Sequence, residues 1–205
     1  MPIFHTNGKN VLFVHIPKTG GTSVEKWLRR HVNISFFSIG VPSAMKCTPQ
    51  HLTNHDFFQI FGKGYFDYTF AIVRNPFDRI VSEYRMREAE GNAGFWGAFP
   101  EFSLWLEENL PLQTRDPWRL DNHLRPQWEF ISSDTEVFRF EDGLENIMRS
   151  VADRVGLPPP DDVPHEMGRP LGPTKLAWDE RDILKMRIHY GQDFSHFGYS
   201  DTPRT

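Results

Sequence analysis

The 205-residue chain contains one cysteine, Cys47, so no intramolecular disulfide can form and no disulfide framework stands in for a core. Long hydrophobic runs are also missing. The apolar stretch Val11–Ile16 is far too short for a signal-peptide core or a membrane span, and the expectation is a cytoplasmic protein with no membrane span. Neither sign of charge is in large excess. The formal net charge of -4 gives no reason to expect polyanion binding over the whole surface, so no nucleic-acid partner is expected. The nine histidines show no paired ligand spacing, which leaves no metal site to defend. Internal repeats and a dividing linker are absent as well, so residues 1–205 read as a single domain. Oligomeric state is left open by the sequence.

What is present fits an ordinary globular domain with a sizeable core. Hydrophobic residues make up 39% of the chain and charged residues 24%. Val11–Ile16 reads as a short buried strand stopped by Pro17, followed by Lys18-Thr-Gly-Gly21 and helical spacing over 22–32 through Val24, Trp27 and Leu28. A second such unit runs from the strand Tyr68–Val73 through Arg74-Asn75-Pro76 into a helix over 77–87. Pro76 there suits the first turn, where its missing N–H costs nothing. A third begins with the strand Glu136–Phe140 and passes into helical spacing through Leu144, Ile147, Met148 and Val151. Further helices are expected over 101–109, around 121–131 and over 179–190. Strands alternating with helices predict an α/β fold with a central, mostly parallel sheet flanked by helices. Two long segments, 90–100 with three glycines and 156–175 with six prolines, read as lids or binding loops.

The first turn is built to hold an anion. Its glycines let the backbone approach a ligand, and the N–H groups opening the helix point at it along a favourable dipole. Thr19, Thr22 and Ser23 can add hydroxyls, and Lys18 adds charge. This is not the G-x-x-x-x-G-K-[ST] loop, because Lys18 precedes Gly20 and Gly21. A purely structural alternative is a glycine turn capped by Thr22, with Glu25 completing a capping box. Arg74, at the end of a buried strand, shifts the balance towards a ligand, since a cation there is costly without an anionic partner. Ser82, two turns along the next helix, can present a hydroxyl to the same phosphate. Asp78 and Arg79 read as a helix-surface ion pair.

His15-Ile-Pro-Lys-Thr-Gly-Gly-Thr-Ser23 resembles the 5′-phosphosulfate loop of the sulfotransferase superfamily. Arg74-Asn-Pro-Phe-Asp-Arg-Ile-Val-Ser82-Glu-Tyr84 resembles its 3′-phosphate motif. His123-Leu-Arg-Pro-Gln127, Phe138-Arg-Phe-Glu-Asp142 and the ending 190–199 are weaker echoes. The likeness is to carbohydrate sulfotransferases of the heparan 2-O and chondroitin type and their short bacterial relatives. It implies the P-loop-NTPase-like sulfotransferase fold, 3′-phosphoadenosine-5′-phosphosulfate (PAPS) as donor, 3′-phosphoadenosine-5′-phosphate (PAP) as product, and no metal. Lys18 would neutralise the leaving 5′-phosphate held by Thr19, Gly20, Gly21, Thr22 and Ser23. Arg74 and Ser82 would hold the 3′-phosphate.

The acceptor hydroxyl needs a base, and a histidine suits that task near neutral pH. The resemblance points between the two motifs, where His51 fits best; His123 and then Glu25 follow in order, and His55 shares the His51 stretch. In the proline-rich segment Arg169, Thr174 or Lys175 can reach the nucleotide, or simply form a solvated basic loop. Phe95 and Trp96 can stack on an acceptor or pack in a core. The acceptor is expected to carry a free hydroxyl, as a carbohydrate or small molecule, and net acidity favours a neutral one. Two rivals remain: a magnesium-dependent small-molecule kinase of the P-loop class, and a non-catalytic nucleotide- or glycan-binding protein.

Overall fold

The computed structural model describes residues 1–37, 40–91, 99–161 and 176–204. They form an α/β fold whose chain divides into two compact units. The first holds Met1–Arg74 and resumes at Glu129; the second holds Asn75–Trp128 and the C-terminal helix.

The first unit contains the sheet. Its strands are β1 (Ile3–Thr6), β2 (Lys9–Val14), β3 (Ile34–Ser35), β4 (Tyr68–Val73) and β5 (Glu136–Arg139), in the order β3-β1-β2-β4-β5. β2, β4 and β5 are parallel, with Val11 opposite Tyr68 and Phe70 opposite Glu136, as the alternating pattern predicts. β1 adds antiparallel to β2, and β3 antiparallel to β1, so the sheet is mixed with a parallel half. The central strands are fully buried from Val11 to Val14 and from Phe70 to Val73, which is why they read as unbroken apolar runs. The β1–β2 hairpin turns on Asn7-Gly8, both left-handed at φ 48° and 75°, the pairing that a twist-compatible two-residue turn requires. The Asn7 amide also donates to the carbonyls of Val155 and Gly156 at 3.0 and 2.9 Å.

Those carbonyls end helix α5 (Leu144–Val155). Together with α1 (Gly21–His31) it supplies the helical side of the core. Val24, Trp27 and Leu28 of α1, and Ile147, Met148 and Val151 of α5, repeat at helical spacing and pack with Phe13, Phe70 and Ile72. Helix α2 (Asn54–Phe61) opens with a reciprocal capping box between Thr53 and Asp56.

The second unit is helical: α3 (Pro76–Ala89), α4 (Phe102–Arg115) and α6 (Glu180–Phe197) around Phe77, Tyr84, Trp105, Leu106, Met186 and Phe194. Pro76 occupies the first turn of α3, with the Asn75 side chain accepting from the Phe77 N–H at 2.9 Å. α6 runs past its expected end through a kink at Tyr190. The helix expected around 121–131 does not form. Leu120, Asp121 and Asn122 are all left-handed, at φ 51°, 60° and 64°, and only a short 3-10 turn, Gln127–Phe130, follows. Carbonyls of this stretch are taken by side chains instead of by a helical ladder. Arg79 donates to His123 and Arg125, and Tyr190 donates to Leu124.

Candidate functional site

Within the sheet unit, Lys18, Thr19, Gly20, Gly21, Thr22, Ser23 and Arg74 gather where β2 and β4 end side by side. Lys18 and Gly20 are both left-handed, at φ 68° and 87°. A lysine held in that region is strained, and such residues cluster at functional turns. Among the described residues no side chain caps α1. Its opening N–H groups and dipole therefore face the turn, together with the half-buried Lys18 and the exposed Thr22 hydroxyl.

Arg74 lies beside this turn. Its Nη1 donates to the Lys18 carbonyl at 3.3 Å, and its guanidinium stacks over the Phe140 ring at 4.5 Å. The two basic residues expected to serve one nucleotide thus meet through the Lys18 backbone. The remaining loop residues divide in role. Thr19 is fully buried and its hydroxyl donates to the Ile16 carbonyl at 2.8 Å, bracing the turn from inside. The left-handed φ of Gly20 favours glycine, and a Cβ there would also press on both methyl carbons of Leu144 at 2.9 Å. A Cβ on Gly21 would overlap the imidazole of His15.

His15 is the residue that sequence reasoning missed. It is 4% exposed at the end of β2, and its Nδ1 donates to Glu25 Oε1 at 2.5 Å. Gln50 Nε2 donates to the same oxygen at 2.6 Å. The capping role considered for Glu25 is therefore corrected: the carboxylate turns inward, 6% exposed, and the Thr22–Glu25 box does not form. Burial alone would push the Glu25 carboxyl up, but the His15 and Gln50 contacts outweigh it and hold it below the ordinary value. His51, at the end of the short 3-10 turn Pro49–His51, meets the His15 ring edge-on at 5.2 Å between centroids. Its Nδ1 lies 3.3 Å from the Thr48 hydroxyl. The signal in the sequence that marks His15 is a polar side chain closing an otherwise apolar buried strand.

The other expected residues belong to the helical unit. Ser82 is buried on α3. His123 donates from Nδ1 to Glu83 Oε2 at 2.6 Å, while Arg87 Nε donates to the other carboxylate oxygen at 2.7 Å. Glu83 is fully buried; desolvation opposes its charge, yet His123 and Arg87 together hold it down at about 2. Arg79 is 2% exposed and bonds carbonyls, so the surface pair with Asp78 is corrected to an internal brace. Buried Asp193 accepts the N–H groups of Gln127 and Trp128, both at 2.9 Å. The loop carrying His123 is thereby fastened from both α3 and α6. Phe95, Trp96, Arg169, Thr174 and Lys175 lie outside the described residues.

A parallel strand pair ending in a glycine turn, with two basic residues in contact ahead of a helix start, gives an α/β fold an arrangement suited to an anion. A model described as the Sulfotransferase family matches residues 2–200, and the chain belongs to that family. Among curated proteins and among solved structures no match was found. Membership supports sulfuryl transfer as the class of activity and marks the chain as a transferase. No helix among the described residues is long and apolar enough to cross a membrane.

Proposed function

We propose that the chain transfers the sulfuryl group of PAPS to an acceptor hydroxyl and releases PAP. The observation that carries this reading is the contact of the Arg74 guanidinium with the Lys18 backbone, which joins two basic residues at the turn ahead of α1. A donor with phosphates at both 3′ and 5′ positions matches two charges better than a donor with one cluster. Lys18, Gly20, Gly21, Thr22 and Ser23 take the 5′-phosphate; Arg74, with Ser82 of α3, takes the 3′-phosphate. Lys175 is a further candidate contact. The bond between sulfur and the bridging oxygen breaks as the acceptor oxygen attacks in line, and Lys18 neutralises the charge left on the 5′-phosphate. The acceptor proton passes to a base. His51 is the first choice, since an imidazole suits proton transfer near neutral pH and its ring abuts His15 beside the start of α1. His123, backed by Glu83, is the second. Glu25, with its oxygen already engaged by two donors, is the third.

The acceptor class that fits is a carbohydrate or another alcohol, and the scheme uses no metal. The test is a thermal-shift comparison of PAP, ADP and ATP, each with and without EDTA. PAP is expected to raise the melting temperature most, unchanged by EDTA, because a ligand that binds only the native state stabilises it. ATP with magnesium matching PAP would replace this reading with a kinase. PAP binding without transfer from PAPS to any alcohol would leave a binding protein.

A further inference from the structure

Burying a carboxylate on the inner face of α1 is costly, and an apolar residue there would pack without that cost. Glu25 nevertheless turns inward and meets two donors, His15 and Gln50, on a single oxygen. Besides Glu25 and Gln50, which lies 3.0 Å from Nδ1, the His15 ring so fixed meets other neighbours. Phe13 stacks on it at 5.5 Å, His51 abuts it edge-on at 5.2 Å, and Gly21, the first residue of α1, has no room for a Cβ because of it. One imidazole therefore separates the candidate base from the start of the anion-binding helix.

Resting on the function proposed above, we propose that Glu25 and His15 are positioning residues: Glu25 locks the His15 ring, and that ring sets the distance between His51 and the phosphate turn. In this arrangement neither residue exchanges a proton with substrate, which removes Glu25 from the candidate bases. Gly21 is glycine for the same reason, as the seat of the ring. A rotated or displaced His15 lets His51 tilt into the freed space while the cations of the turn, held by Arg74 and Phe140, stay in place. The consequence is a selective loss of chemistry. Small misplacements of a catalytic group cost much in turnover and little in donor binding.

The experiment uses the full chain and four readouts: kcat, KM for PAPS, PAP affinity, and the imidazole proton spectrum. Glu25→Gln is expected to lower kcat by about 10- to 100-fold with KM for PAPS and PAP affinity within about threefold of wild type. The far-downfield Nδ1 proton of a short His15–carboxylate hydrogen bond is expected in the wild-type spectrum and absent in the variant. Gln50→Met, which leaves His15 and Glu25 intact and removes one donor, should give a smaller loss in the same direction; it carries the test if Glu25→Gln does not fold. Wild-type kcat in either folded variant overturns the proposal. So does a loss in which kcat, PAP affinity and melting temperature fall together, which marks a merely structural pair. A wild-type chain that neither binds PAP nor transfers from PAPS sinks the functional reading itself, a result distinct from an active wild type matched by its Glu25 variant.

Discussion

Lys18 and Arg74 divide the work at the anion site by position. Lys18 sits in a left-handed turn ahead of the glycines, and Arg74 lies against its carbonyl. Replacing Arg74 with alanine would remove the proposed forked, charge-assisted contact to phosphate, and PAP binding should weaken by about 10- to 100-fold, the equivalent of ~1.5–3 kcal/mol. His51→Ala should leave PAP affinity unchanged and abolish transfer, as measured by calorimetric titration beside a sulfate-transfer assay. Full activity in that variant would move the base to His123. At this scale the two basic residues stood out in the sequence because Arg74 directly follows one apolar strand and Lys18 sits in the glycine turn after another. The pairing of His15 with Glu25 did not. Its partners are ten residues apart along the chain, with Gln50 a further 25 on, and only the folded turn brings them together.

At the scale of elements, β2, β4 and β5 with α1, α3 and α5 were readable because buried strands and amphipathic helices leave unmistakable apolar periods. β1 and α2 went unread although their local signals were present: Asn7-Gly8 marks the hairpin and Thr53-x-x-Asp56 the helix start. The opposite error, a helix over 121–131, arose because local spacing says nothing about carbonyls claimed by Arg79 and Tyr190. α6 carries its own pH dependence. His189 on that helix is pushed down from 6.5 to about 4, chiefly by burial, which outweighs the opposing contact with the Leu124 carbonyl and is joined by a smaller effect of the Arg79 charge. The unfolded chain therefore takes up this proton first. The contribution is complete above pH 6.5 and declines as pH falls towards 4, by up to about 3 kcal/mol. Melting temperatures across that window should drop in the wild type and drop less in His189→Gln.

For the whole molecule, the family match from residue 2 to 200 spans both units, and neither unit is a continuous piece of chain. The chain leaves the first after Arg74, completes most of the second, and returns to add β5 and α5 before α6 closes the second. Interleaving of this kind leads us to propose one cooperative domain over residues 1–205. Differential scanning calorimetry is expected to give a single transition with equal calorimetric and van't Hoff enthalpies. Two resolved transitions would make the units independent folding bodies.

The guanidinium resting on Phe140 has a consequence for how fast and how tightly an anion is captured. A long, rotamer-rich side chain ordinarily surrenders its freedom at the moment of association, which weakens the complex. Here the aromatic face has already quenched that freedom when the chain folds. The proposed nucleotide would meet an electropositive group already in place, so substitution of Phe140 by a small aliphatic residue is expected to loosen capture even though every charge remains.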